Sequence, residues 1–393
     1  MFNPHQFCFA KGRLCLTKLK RMKFPWTILV TAMLMLAVSK GHTNPNPETL
    51  HSSYVAEGNV SAEVVAARIA ELKLPFEGRN TAQVRSYIRS YLVEGYRGSE
   101  DILGRAAVYF PIFEHYLRLY NLPEELKFLP IVESALKPTV HSPVGAAGLW
   151  QFTSSTARLY GLTVNNQIDE RLDPHKSTQA AVRMLAALYQ QFGDWGLVLA
   201  AYNCGPGRVR KAIRTVGKKD YWAVQGFLPR ESQRYIPGFI AAAYLMNYHS
   251  AHNLTPDYPD YDMLETNTFI ITKSLHLGTV ARQIGVSYQI LRKLNPSFEN
   301  GLVSANSKGN FITIPARAAQ LFMNKYLSLD HNLTVNGHTK SQYTTVAGDN
   351  IETLALLFQC SVQDIMNWNN LNTDQLAVNQ QLVIFLPQRV VRP

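Results

Sequence analysis

Glu133 sits in a run whose apolar residues recur at helical spacing. Leu126, Leu129, Glu133 and Leu136 fall three and four apart, so a helix opened near Pro123 and closed by Lys137-Pro138 carries one carboxyl on an otherwise apolar face. Burial there disfavours the charged form and lifts the pKa above the reference of about 4.3, which leaves a proton available near neutral pH. A lone acid so placed suits general-acid work on a glycosidic oxygen. A glutamate paired with Lys or Arg inside a helix bundle has the same spacing, and this segment alone does not separate the two readings.

Two glycine-rich stretches follow. Ser142-Pro143-Val144-Gly145-Ala146-Ala147-Gly148 is unsuited to an ordinary helix, and its small residues let backbone approach a ligand before Leu149-Trp150-Gln151-Phe152 resumes helix. Leu197 to Ala201 predicts an apolar helix that ends at Tyr202-Asn203-Cys204-Gly205-Pro206-Gly207, with a phenol and an amide at its end. Rings that stack on sugars and amides that read hydroxyl and acetamido groups, beside an apolar-face Glu, describe a saccharide groove. Trp150 and Phe152 are equally ordinary core residues. Asp169, Glu170, Arg171 and Asp173 offer further carboxylates, although Arg171 flanked by acids reads more simply as an ion-pair clip in a loop.

The elements that must position these groups are helical. Ser61 as an N-cap with apolar spacing through Leu72, then Thr81 to Leu92 and Ser99 to Leu119, predict helices, and no sustained β alternation occurs before about Tyr248. The 393 residues exceed one typical domain of about 100 to 200, so two or three cores are expected. A Pro-, Asp- and Tyr-rich linker over 256–262 ends the helical region. Beyond it Thr279 to Pro296 aligns without gaps onto Thr353 to Asn370, with identities including Ala281/Ala355, Ser287/Ser361 and Asn295/Asn369. Strand-like runs flank each copy, Phe269 to Ile271 and Phe311 to Pro315 around the first, Tyr343 to Val346 and Leu382 to Pro387 around the second. The unit is strand, helix, helix, strand.

That repeat resembles the LysM module, a small βααβ glycan-binding domain of cell-wall proteins. The second copy (341–388) carries Gly348-Asp349-Asn350 after its first strand, Trp368-Asn369 closing its second helix, and Gln380 before Leu382-Val383-Ile384. The resemblance implies glycan contacts at Asp349 and Asn350. The first copy (268–316) is degenerate, with Leu277-Gly278 where Gly-Asp is expected, and its sugar binding is left open; residues 317–340 link the two.

The helical region (61–250) resembles the lytic transglycosylase catalytic domain of the soluble and membrane-bound D type. The matching pieces are Glu133-Ser134, Gly145 to Phe152, Asp169-Glu170-Arg171 with Asp173-Pro174, Ala201-Tyr202-Asn203 with Gly205-Pro206-Gly207, and Arg230-Glu231 with Tyr235, in the family's order. The resemblance implies an all-α lysozyme-like catalytic domain followed by two small α+β (βααβ) LysM-like modules. It assigns Glu133 as sole acid and base, Ser134 as its orienting neighbour, Tyr235 as the group that positions it, and Gln151, Tyr202 and Asn203 as glycan contacts. The implied reaction cleaves the bond between N-acetylmuramic acid and N-acetylglucosamine without water and leaves 1,6-anhydro ends, and the implied partner is the peptidoglycan strand. A hydrolysing muramidase and a non-catalytic wall-binding protein stay open as alternatives. Ser154 stands where many relatives have Pro, a change that Thr153 or Ser154 can offset as a cap.

Residues 1–39 read as a signal peptide: six Lys or Arg and no acid, an uncharged run from Phe24 to Ser39, and small residues at Ala37 and Ser39. As a helix that run spans about 24 Å, short of a hydrocarbon core of about 30 Å, although an uncleaved anchor with membrane association stays open. A linker over 40–60 follows, and the expected location is the periplasm or cell envelope. No cysteine follows the apolar run, so lipid anchoring is not expected. The formal charge of +11 falls to +5 once those six cations are set aside, too weak a balance to argue for nucleic acid. Cys204 and Cys360 fall in different domains and no Cys/His group has zinc spacing, so neither a disulfide framework, a metal nor a cofactor is expected.

Overall fold

The computed structural model describes residues 61–306, 309–326, 334–335, 338–345, 349–358, 360–378 and 380–387. The leader and the tether that follows it lie outside the described residues, as does Gly348. Among the described residues no helix is long and apolar enough to cross a membrane.

The helical domain is built around two helices that are apolar on nearly every side. Helix α1 (Trp195–Cys204) buries Trp195 to Ala201, and helix α2 (Arg230–Tyr248) buries Tyr235 to Leu245 without a break. A helix buried all round belongs at the centre of a fold. Helices Ala62–Glu71, Ala82–Arg89, Tyr96–Leu119, Pro174–Phe192 and Pro206–Val216 surround them. The start signals act as expected where a side chain can reach the free amides: Ser61 caps the first helix through Val64, Thr81 the second through Val84, and Asp173 the helix at Pro174 through His175 and Lys176. Thr153 caps Ser154–Leu159 through Thr156.

Two expectations for local structure are corrected. The helix bearing Glu133 does not run from Pro123 to Lys137: a 3₁₀ turn covers Glu124–Phe128, the α-helix is only Leu129–Ser134, and Ala135 and Leu136 turn left-handed at φ 50° and 58°. Leu136 is still fully buried, so its place in the apolar spacing reflects burial and not helix. Nor does helix resume at Leu149. The segment returns through isolated bridges, His141 to Ala147 and Ala147 to Phe152, with Gln151 at φ 49°.

Both C-terminal modules contain the strand, helix, helix, strand unit. In the first, β1 (Thr266–Ile271) pairs antiparallel with β2 (Asn310–Pro315), Phe269 opposite Ile312, and helices Leu277–Ile284 and Tyr288–Leu294 lie between them in sequence. In the second, β3 (His338–Thr344) pairs with β4 (Gln381–Pro387), Tyr343 opposite Leu382, around helices Ile351–Phe358 and Val362–Asn369. Each has its own apolar core. Equivalent asparagines close both units: Asn295 Nδ2 and Oδ1 bond Thr313 O and N at 2.6 and 2.8 Å, and Asn369 bonds Val383 O and N at 2.7 and 2.6 Å.

The first module is joined to the helical domain through backbone. Asp169 N–H donates to Ser297 O at 2.9 Å, Glu299 N–H donates to Gln167 O at 3.0 Å, and Ile168 packs into the module's core. It is a continuation of the domain's 163–170 loop and not a bead on a string.

Candidate active site

Glu133 sits near the C-terminal end of its six-residue helix, where the chain turns left-handed at once. Glu133 is half-buried, and desolvation pushes its pKa up to about 7; a hydrogen bond from Tyr235 works the other way, and the nearby charge of Glu231 adds to the rise. Tyr235 lies on buried α2, 102 residues further along the chain, and its hydroxyl donates to Glu133 Oε1. Tyr235 is itself held well above the usual phenol range, first by burial and then by Glu133, so it stays a donor. Glu133 is therefore oriented through one oxygen and carries a labile proton near neutrality.

Ser134, the next residue, is fully buried: its Oγ lies 3.0 Å from Pro130 O and 2.9 Å from Leu149 O. It ties the acid's helix to the glycine-rich loop. That loop is fixed from its other side by Arg171, whose guanidinium pairs with Asp169 at 2.7 Å and donates to Gly145 O at 2.7 Å and Phe152 O at 3.2 Å. The acidic segment is thus a clip, as its charge pattern suggests. Glu170 bonds Lys176 and the Thr163 amide, and Asp173 caps a helix, so both carboxyls are committed to structure.

Gly148 is the tightest point of the loop. At φ 84° its missing Cβ would fall 1.9 Å from Arg171 O, so only glycine fits between the loop and the clip. Trp150 and Phe152 are core residues, 0 % and 2 % exposed, with the Trp150 indole donating to Thr178.

The expected ligand contacts have complementary bonding left. Gln151 Nε2 is occupied by Gly148 O at 2.8 Å and Val140 O at 3.2 Å, which leaves its Oε1 as an acceptor for a ligand. Asn203 Oδ1 accepts from Ser232 Oγ at 2.7 Å, which leaves its Nδ2 as a donor. Tyr202 donates to Trp150 O at 2.7 Å, keeping an oxygen lone pair. Its phenol is raised well above the usual range by burial and then by Glu133, which places it within the acid's field.

Three contributions were not read from the sequence. Ser232 orients the Asn203 amide, and its spacing of three residues from Tyr235 on α2 was the available signal. Glu231, half-buried on the first turn of α2, acts on Glu133 through charge. The third concerns Asp349, whose carboxylate is 3.1 Å from Arg183 of the helical domain and accepts from Tyr343 at 2.8 Å, with its side chain 1 % exposed. Asp349 therefore faces protein in this arrangement and is not presented to a glycan, whereas Asn350 is exposed and caps its helix through Thr353 N.

Comparison with known proteins follows the same division. The transglycosylase SLT domain matches over residues 110–225, the LysM-like domain of lytic transglycosylase MltD over 265–331, and the LysM domain over 343–385. Membrane-bound lytic murein transglycosylase D of Escherichia coli strain K12 is 31 % identical over 333 residues, covering 80 % of this chain and 71 % of the relative. Soluble lytic murein transglycosylase from the same strain is 32 % identical over 141 residues, covering 34 % of this chain and 22 % of that protein. The crystal structure of the 70 kDa soluble lytic transglycosylase from Escherichia coli is 21 % identical, covers 56 % of this chain and 40 % of its own, and superposes with a TM-score of 0.34.

Proposed function

The chain belongs to the lytic murein transglycosylase family, and from that premise we propose that Glu133 is both the acid and the base of a non-hydrolytic cleavage of peptidoglycan. The observation that carries this reading is a carboxyl oriented by Tyr235, with a pKa raised to about 7 and Tyr202 within its field. Glu133 gives its proton to the oxygen linking N-acetylmuramic acid to N-acetylglucosamine. The muramoyl acetamido group stabilises the oxocarbenium-like centre, the substrate-assisted exception to the two-carboxyl rule. The resulting carboxylate then takes the proton of the sugar's own C6 hydroxyl, which closes the 1,6-anhydro ring. Asn203 Nδ2 suits an acetamido carbonyl and Gln151 Oε1 an acetamido or hydroxyl proton.

One observation favours a hydrolytic muramidase: Glu231 is a second carboxyl close enough to influence Glu133. Mass spectrometry of digested sacculi separates the readings. Anhydro ends are expected, reducing ends would transfer the role to a water activated by a second carboxylate, and intact strands would leave a binding protein. Since the free enzyme must enter with Glu133 protonated, kcat/KM should fall about tenfold per pH unit above about 7.

The second module supplies wall affinity in this reading, and the chain works in the cell envelope. Export through residues 1–39 fits their charge and apolar run. The secreted chain should be lighter by about 39 residues; a retained Met1 in the inner-membrane fraction would mark an anchor instead.

A further inference from the structure

The two modules meet the helical domain by different physical means. The first is joined by backbone hydrogen bonds and an apolar plug at Ile168. Among the described residues no backbone-to-backbone hydrogen bond joins the second module to that domain. Its contact centres on Arg183 of helix Pro174–Phe192, which is 4 % exposed. One Arg183 nitrogen, Nη1, lies 3.1 Å from Asp349 Oδ1 and 3.4 Å from the Tyr343 hydroxyl, while Nη2 donates to Tyr160 O at 2.9 Å.

This interface is polar and incompletely satisfied. Four buried side-chain nitrogen or oxygen atoms among the described residues have no hydrogen-bond partner, and three of them are Arg183 Nε, Gln179 Nε2 and Tyr120 Oη. Tyr120 feels the charges of both Arg183 and Asp349 and lies close enough to Arg183 and Gln179 for poorly aligned hydrogen bonds, so the three form one strained polar cluster. Poorly satisfied polar atoms and desolvated charges oppose a contact that the Arg183–Asp349 ion pair favours. Such a balance suits a contact that opens, because separation lets water solvate the Arg183 and Asp349 charges.

We propose that the second LysM module alternates between a docked position, in which Asp349 is held by Arg183 and its face is closed to glycan, and a released position that binds the wall. The proposal rests on the wall-binding reading of that module. Glycan competes with the helical domain for the same face, so a strand that binds the module also frees it from the catalytic body. Docking then lowers wall affinity by the fraction of chains that are released at rest.

The test uses the full chain carrying Glu133→Gln, so that substrate is not consumed, and compares Arg183→Gln with Arg183→Lys. The lysine keeps a cation opposite Asp349 and should stay docked. With Arg183→Gln, small-angle scattering should show a longer maximum dimension and sacculus retention should rise by up to about tenfold, the gain if one chain in ten is released at rest. If Arg183→Gln melts at low temperature, Tyr343→Phe, which removes the hydroxyl that holds Asp349, should show the same two changes in weaker form. Unchanged dimensions would show that Arg183 does not hold the module and overturn the proposal while leaving wall binding by the module untouched. Longer dimensions without greater retention would overturn it together with the wall-binding reading of this face. Lower retention at unchanged dimensions would make the docked form the binding form, and so also overturn it.

Discussion

Glu133→Gln should lower turnover on sacculi by about 10⁴-fold, the upper end for loss of general acid–base catalysis, because one group serves both proton transfers. Glutamine keeps the shape and can still accept from Tyr235, so the groove should survive and bind strands. Stability supplies an independent signature. The carboxyl titrates near 4.5 in an unfolded chain and at about 7 in the fold. Between those values the native state holds a proton that the unfolded state releases, so stability declines as pH rises through this window, and the deficit is complete above about 7. Glutamine carries no such deficit. The variant should therefore melt above the parent at pH 8 and level with it near pH 4. A buried ion-pair glutamate would behave in the opposite way: substitution would strand a cation and lower the pH 8 melt. A depressed melt with residual cleavage would sink the catalytic assignment.

Gly148→Ala should be the most damaging conservative change away from the acid. A Cβ there meets Arg171 O at 1.9 Å, and the residue is already at φ 84°. Arg171 cannot retreat, since its guanidinium is tied to Asp169, Gly145 O and Phe152 O. The loop must move instead, carrying Gln151 with it, because Gln151 Nε2 and N–H both bond Gly148 O. A loss of about 3 kcal/mol is expected, or about 6 to 12 °C in melting temperature for a domain of this size. Activity should fall even well below the melt. Gly145→Ala is the matched control: it too has positive φ, at 80°, but nothing within 4 Å of the added methyl, so it should cost only about 1 kcal/mol. Equal melts for the two would show that the contact with Arg171 does not constrain the loop.

The acid was legible because polarity broke an apolar pattern, a signal that depends on burial alone. The same pattern misplaced its helix. Leu136 keeps the spacing because it is buried, yet it and Ala135 turn left-handed without a glycine to announce the change. Gln151 reverses the chain in the same unannounced way, so Leu149-Trp150-Gln151-Phe152 looked helical when its conformation is set by Ala147 and Phe152 bridging. The clip at Arg171 was readable from neighbouring charges, though its hold on Gly145 and Phe152 was not. Tyr235 entered through family resemblance and not through spacing, since 102 residues separate it from Glu133. Asp349 and Arg183 are 166 apart, and nothing local to either distinguishes a glycan contact from an internal ion pair.

Asp169 belongs to two structures at once: its carboxylate anchors Arg171 behind the glycine loop, and its amide bonds Ser297 of the first module. This makes the linker over 256–262 a poor place for recombination, although it separates two units in sequence. A gene fusion there would exchange a module and leave the catalytic loop's support exposed at a torn edge, with Ile168 bared to water. The first module is thus inherited together with the catalytic body, whether or not it binds sugar. The second, attached through side chains, is the portion that duplication and shuffling can add or remove while the catalytic body stays whole.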